Sequence, residues 1–189
     1  MKFILLSTLL CTLFISGSHK IDYTQWREYL GGPDRNHYST LTQINPGNVH
    51  KLKVAWTYAA PDSGQMQMSP IIVDGVLYGV TAAVQAFALD AATGRELWRF
   101  GDTLNAWHST SRGVAYWEHG DDRRILFTRG PDLWALDAQT GKPVETFGNA
   151  GHVDLHDGLP EIARNKFIIS NTPGTIFENL IVMPLRLSE

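Results

Sequence analysis

The sequence predicts an all-β protein built from repeated four-stranded antiparallel sheets, a partial β-propeller. Three observations predict it. A ten-residue segment recurs after 47 residues. A two-residue Asp-Gly hairpin joins two short apolar runs just before its first copy. No helical periodicity runs through the chain beyond its first 18 residues.

The repeat is explicit. Ala86-Phe87-Ala88-Leu89-Asp90-Ala91-Ala92-Thr93-Gly94-Arg95 matches Leu133-Trp134-Ala135-Leu136-Asp137-Ala138-Gln139-Thr140-Gly141-Lys142. The spacing falls within the period of a propeller blade, about 40–50 residues. Each copy follows a β-rich run ending in an aromatic, Val76-Leu77-Tyr78 and Ile125-Leu126-Phe127, and a third β-rich run, Leu180-Ile181-Val182, stands near the C-terminus. Within the first unit, Asp74-Gly75 turns Pro70–Val73 back onto Val76–Tyr78, since Asp-Gly readily takes the positive φ angles of a tight hairpin. Ala86–Leu89 is the third strand. Asp90–Gly94 is a turn in which the Asp and Thr side chains bond local N–H groups, and Glu96–Phe100 is the outer strand. Four short strands per period exclude a coiled coil and a doubly wound sheet.

The first 18 residues stand apart. Lys2 precedes an apolar run from Phe3 to Ile15, which gives way to Ser16-Gly17-Ser18, the pattern of a secretory signal peptide over residues 1–18. A bilayer span takes roughly 20 apolar residues, so a retained anchor is the lesser alternative. Cys11 lies inside this run behind Leu9-Leu10, bulky where a lipoprotein signal has small residues. Cleavage after Ser18 leaves no cysteine, so an exported chain is held by its core alone. The expected location is the periplasm, with membrane association as the variant. The 171 residues after Ser18 (19–189) suffice for three to four blades. A propeller closes with at least four, so the chain is expected to be the N-terminal part of a longer one.

Composition narrows the function. Of 189 residues 43% are hydrophobic and 19% charged, which excludes intrinsic disorder, and a net charge of −3 without a basic run argues against nucleic acid as partner.

The leading segment carries a family resemblance. Trp26-Arg27-Glu28-Tyr29-Leu30-Gly31-Gly32, Tyr38-Ser39-x-Leu41-Thr42-Gln43-Ile44-Asn45, Asn48-Val49 and Leu52-x-Val54-Ala55-Trp56-Thr57-Tyr58 resemble the start of quinoprotein dehydrogenases. Those are eight-bladed propellers carrying pyrroloquinoline quinone (PQQ) and calcium (Ca2+). The pattern from Ala88 to Trp98 resembles their tryptophan-docking motif, in which an indole packs between adjacent blades. The second copy departs from it, with Glu145 at the Trp position and Phe147 two residues on as the substitute. Among branches the resemblance is closest to the glucose dehydrogenases.

The resemblance implies cofactor-binding residues. Gln67 falls where the family often has an acidic or amide side chain beside the quinone, and an amide can both donate to and accept from a ring edge. Arg112 opens Arg112-Gly113-Val114-Ala115-Tyr116, which matches the family's Arg-Gly-x-x-Tyr. A guanidinium fork suits a carboxylate of PQQ, and Gly113 allows close backbone approach. His108 stands where the glucose-oxidising branch has a histidine, and Asn105-Ala106-Trp107 lacks the adjacent cysteines of the alcohol-oxidising branch. Ser170 and Thr172 match a hydroxyl region that donates to a quinone carboxylate, with either one as the donor. Glu189 coincides with the region supplying a calcium ligand, and a hard cation takes oxygen donors. His152-Val153-Asp154-Leu155-His156-Asp157 has a zinc-like spacing but reads better as a solvated loop, and Asp90 and Asp137 read as turn residues.

The implied reaction is oxidation of a sugar or alcohol by hydride transfer to PQQ, with calcium as Lewis acid and ubiquinone or a cytochrome c as electron acceptor. The base would be an Asp beyond Glu189, so these residues would be inactive alone. Two rivals stand beside this reading: a quinone-free propeller scaffold of the envelope, and a quinoprotein that oxidises simple alcohols.

Overall fold

The structure is a computed structural model that describes residues 23–102 and 110–188. The expected signal peptide with Cys11, and the candidate residues His108 and Glu189, lie outside the described residues.

The first unit folds as its sequence predicts. Strands β1 (Ile71–Val73), β2 (Val76–Val80), β3 (Ala86–Asp90) and β4 (Glu96–Phe100) form one antiparallel sheet in that order. Asp74 and Gly75 both take positive φ, 50° and 81°, and the turn sets the register Val73↔Val76 and Ile71↔Tyr78. The second unit repeats the plan with β5 (Ala115–His119), β6 (Asp122–Arg129), β7 (Asp132–Asp137) and β8 (His152–Asp154). A third begins with the hairpin β10 (Thr175–Phe177) and β11 (Leu180–Val182), beside a short pair of β9 (Ile168–Ile169) and β12 (Arg186–Leu187). Helix among the described residues is limited to two three-residue 3-10 turns, Val49–Lys51 and Glu161–Ala163.

Period-two alternation sorts each strand between two interfaces, because successive side chains point to opposite faces of a sheet. Ile71, Val73, Tyr78, Val80, Ala86, Ala88 and Trp98 of the first sheet pack against Val114, Tyr116, Ile125, Phe127, Leu136 and Ala138 of the second. The intervening residues Ala115, Leu126, Leu133 and Ala135 face the other way, onto Phe147, Ile176, Ile181 and Met183. Both faces of the second sheet are therefore covered. That explains why its strands are apolar at consecutive positions rather than alternately polar.

The tryptophan-docking motif works as the resemblance implied, and it works twice. Trp98 Nε1 donates to the carbonyl of Ala138 at 2.9 Å, and its indole lies against Gly141 in the turn of the next unit. Trp56 does the same one unit earlier: its Nε1 donates to the carbonyl of Ala91 at 3.1 Å and its ring lies against Gly94. Two residues on, Tyr58 packs on Phe87 with centroids 5.1 Å apart, and Phe100 packs on Trp134 at 5.0 Å. Residues 56–58 thus occupy against the first sheet the place that β4 occupies against the second.

The second unit departs from prediction at its outer strand. Segment 152–157 was expected to be a solvated loop, but His152–Asp154 is β8, paired with Asp132–Trp134. The chain touches β7 at Pro143, which bridges Leu136. It then loops out and returns to cap the remaining edge of β7. Phe147 fills the second core cluster during that excursion. The His152 ring stacks on Trp134 with centroids 4.6 Å apart, giving an aromatic reason for the return.

Candidate cofactor site at the starts of the inner strands

Radially arranged sheets approach most closely at their innermost strands. Here β1, β5 and β10 are innermost, because the residues leading into them are hydrogen-bonded in series. Ser69 N–H donates to the Arg112 carbonyl at 3.0 Å, and Arg112 N–H donates to the Asn171 carbonyl at 2.8 Å. The Asn171 amide donates in turn to the Thr110 carbonyl at 2.6 Å. This chain brings the segments holding Gln67, Arg112, Ser170 and Thr172 to one end of the sheets. The Asp-Gly hairpin and the Asp-x-x-Thr-Gly turns lie at the opposite end.

Arg112 sits at the middle of that series. Its backbone is fixed on both sides while its side chain is exposed, and among the described residues its guanidinium forms no ion pair or hydrogen bond. Gly113 is required here, since a Cβ would stand 2.7 Å from the Ser69 carbonyl oxygen. The tight crossing holds the Arg112 backbone while leaving its charged end free to bind an anion.

Ser170 and Thr172 separate clearly. Ser170 is buried, and its hydroxyl lies 2.7 Å from the Pro184 carbonyl and 3.1 Å from that of Thr172, while its own carbonyl accepts from Thr128 Oγ1 at 2.6 Å. It is a structural clamp between the lead-in of β10 and the strand pair beside it. The Thr172 side chain is half-buried, and its hydroxyl has no hydrogen-bond partner among the described residues. Gln67 is exposed, with its amide donating to the side-chain carbonyl of Gln65 at 2.9 Å.

The opposite end is built for turns. The Asp90 carboxylate accepts from the N–H groups of Ala92 and Thr93 and from the Thr93 hydroxyl. Asp137 accepts likewise from Thr140. Hydrogen bonds from Thr93 hold the Asp90 carboxyl below the usual range, which suits a fixed anion and not a proton carrier. A cavity of about 420 Å3 opens there between the first two sheets, lined by Asp74, Tyr78, Tyr116, Asp121, Arg123 and Asp137. Burial pushes the Tyr78 hydroxyl up to about 12, and it donates to the Ala138 carbonyl at 3.3 Å.

The zinc-like spacing yields no site. His156 Nδ1 pairs with Asp154 at 2.6 Å and its Nε2 meets the Lys166 carbonyl at 2.9 Å, so both ring nitrogens are engaged. No cluster of three or more His, Cys, Asp or Glu able to hold a metal occurs among the described residues. No described helix is long and apolar enough to cross a membrane.

Two positioning residues had no role assigned to them from the sequence, although one of the two carried a signal. Asn171 ties the lead-ins of β5 and β10 together, with no sequence signal to mark it. Trp56 was legible, since Trp56-x-Tyr58 repeats the spacing of Trp98-x-Phe100.

Comparison with known proteins agrees with this geometry. The family described as "PQQ: Glucose/ethanol/alcohol dehydrogenase, beta-propeller domain" matches residues 26–189. The chain is 36% identical over 172 residues to the dehydrogenase subunit of alcohol dehydrogenase (quinone) from Gluconobacter oxydans, covering 82% of this chain and 22% of that protein. It is 33% identical over 182 residues to quinoprotein glucose dehydrogenase from Escherichia coli, covering 84% and 23%. The solved structure of quinohemoprotein alcohol dehydrogenase from Comamonas testosteroni superposes with a TM-score of 0.64 at 26% identity, over 80% of this chain and 24% of that one. The chain thus spans less than a quarter of the length of these relatives. Indoles docked on two successive units, an inner-strand lead-in whose arginine makes no ion pair or hydrogen bond among the described residues, and the match over residues 26–189 lead to one conclusion: this chain belongs to the PQQ-dependent dehydrogenase family and forms part of its β-propeller domain.

Proposed function

We propose that these residues form one wall of the PQQ site in a dehydrogenase that oxidises a sugar hydroxyl, glucose being the first candidate. The single observation that carries the reading is Arg112, whose backbone is clamped by Ser69 and Asn171 while its guanidinium stays uncommitted among the described residues. The residues fit an acidic planar ring. Arg112 offers a fixed charge-assisted donor, the Thr172 hydroxyl a neutral donor, and Gln67 an amide at the rim. Ser170 holds the β10 lead-in, so Thr172 is the hydroxyl assigned to the quinone carboxylate. His108 is assigned to the same wall on the family resemblance alone. When bound, PQQ supplies the hydride-accepting chemistry.

Calcium is proposed alongside the quinone, with Glu189 in the segment that would ligate it, and no step depends on it here. The electron acceptor is proposed as ubiquinone or a cytochrome c, and the location as the periplasm after cleavage of residues 1–18. The catalytic base is proposed to lie outside these residues, which would then not turn over by themselves.

The test is reconstitution of the full-length protein with PQQ and calcium, reading bound chromophore and substrate-dependent dye reduction. Uptake of the chromophore by the unaltered protein and its loss in Arg112→Ala support the reading. A protein that takes up no quinone overturns it in favour of a quinone-free scaffold. Oxidation of a simple alcohol is the second reading, favoured by the 36% identity to an alcohol dehydrogenase subunit. A panel of glucose, other aldoses, ethanol and glycerol decides between the two.

A further inference from the structure

The segment ahead of the sheets is not a loose leader. Residues 23–40 close on themselves, with Thr40 N–H donating to the Tyr23 carbonyl at 3.1 Å and Tyr23 meeting Tyr38 edge-on at 5.3 Å. The closed segment then touches the inner strand of each of the three units. Trp26 and Ile72 of β1 exchange both backbone hydrogen bonds, at 3.2 and 2.8 Å. Arg27 pairs with Glu118 of β5 at 2.6 Å and lies 5.1 Å from the centre of the Tyr116 ring. The Arg35 guanidinium donates to the Thr175 hydroxyl of β10. Gln25 fixes its lower end by accepting from Asp74 N–H at 3.0 Å.

The direction of the segment matters. Gln25 lies at the hairpin end of β1, Trp26 at its middle, and Glu28, Tyr29 and Arg35 face Ala115, Gly174 and Thr175, where β5 and β10 begin. Between those last groups only about 10 Å3 remains, room for roughly one water. Glu28 is half-buried there, and its burial raises its carboxyl above the usual range.

We propose that residues 23–40 are an axial stopper: they fill the space bounded by the inner strands from the hairpin end up to the level of Ala115 and Thr175, so that the arginine-bearing end is reached from its own side only. Arg27 and Arg35 are its anchors. They act as positioning residues by pinning the stopper to β5 and β10. The stopper itself stands on contacts within this chain. Its role in keeping water from beneath a bound quinone rests on the PQQ reading above.

The test uses the full-length protein with Cys11→Ser and a reporter thiol at Ala115→Cys, a buried site on β5 that lines the small gap. Labelling by a charged thiol reagent is read on the peptide holding position 115, with Thr140→Cys as the exposed control. Slow labelling is expected, rising at least about 10-fold when Arg27→Ala and Arg35→Ala are added. Labelling of Ala115→Cys as fast as the control, or no rise in the double variant, overturns the stopper. Hydrogen exchange on the unaltered protein gives an independent reading. The Trp26 amide should be protected together with that of Ile72, and free exchange at Trp26 beside a protected Ile72 overturns the proposal even if the variants do not fold. In PQQ-loaded protein the double variant should lose chromophore about 10-fold faster. An unchanged loss rate overturns the role beneath the quinone. Failure of the unaltered protein to load at all overturns the PQQ reading instead, and the thiol and exchange results then decide the stopper by themselves.

Discussion

Trp98 leaves no room for a side chain at Gly141: a Cβ on that glycine would stand 2.6 Å from the indole. The same relation holds between Trp56 and Gly94, at 2.5 Å. The glycine of each Asp-x-x-Thr-Gly turn is therefore a seat for the indole of the preceding unit, and the residue three before it supplies the carbonyl that accepts from the ring N–H. Trp98→Ala should cost about 3–5 kcal/mol in denaturant unfolding, because a large buried ring is lost without collapse of its seat. Trp98→Phe should cost less while still forfeiting the bond to Ala138, about 1 kcal/mol of the total. Gly141→Ala should destabilise by about 1–3 kcal/mol through overpacking at a positive-φ position.

Arg112 carries the predicted ligand effect. Arg112→Ala should weaken PQQ uptake about 10- to 100-fold, measured by titrating chromophore into apo-protein, with little change in unfolding midpoint because the side chain is exposed. Arg112→Lys should recover part of the affinity, since charge remains while the planar fork is lost.

The two hydroxyls should respond oppositely. Ser170→Ala removes the single O–H that the Pro184 and Thr172 carbonyls share and should destabilise the chain by about 1–3 kcal/mol in urea unfolding. Thr172→Val should leave the midpoint within about 0.5 kcal/mol. Quinone affinity, measured in the same titration, should fall about 2- to 10-fold.

His156 predicts a pH dependence. The hydrogen bond to the Lys166 carbonyl, and then the Asp154 carboxylate, raise its folded pKa above the ordinary histidine value near 6.5. A folded pKa above the unfolded one means that the charged form is favoured by folding. The stabilisation is fully present below about pH 6.5 and is lost as pH rises through the folded value. NMR titration of the His156 ring should place its midpoint above that of a histidine peptide, and Asp154→Asn should bring it down.

Much of the fold was legible because propeller units repeat. The match of Ala86–Arg95 to Leu133–Lys142 located β3, β7 and their turns, and Asp74-Gly75 located the first hairpin. The outer strand of the second unit was not legible. Its position depends on Pro143 breaking the ladder and on His152 finding the face of Trp134, a contact between residues 18 positions apart. The zinc-like spacing in the same segment is uninformative for a related reason: spacing along a chain says nothing of which partners each ring nitrogen meets. His156 is consumed by Asp154 and a backbone carbonyl.

By itself the sequence determined the all-β repeat, its 47-residue period and the family motifs around Trp26, Trp98 and Arg112, because local turn chemistry and alternation are written residue by residue. Only the tertiary structure decided which hydroxyl lacks a partner among the described residues. Ser170 and Thr172 lie two residues apart on an extended segment and are alike in chemistry. The carbonyl of Pro184, brought over by the pairing of β9 with β12, claims Ser170 and leaves Thr172 open. Tertiary packing likewise turned a leading segment of ordinary polarity into a closed loop seated on three inner strands. A long-range contact of that kind costs chain entropy that only the assembled sheets can offset.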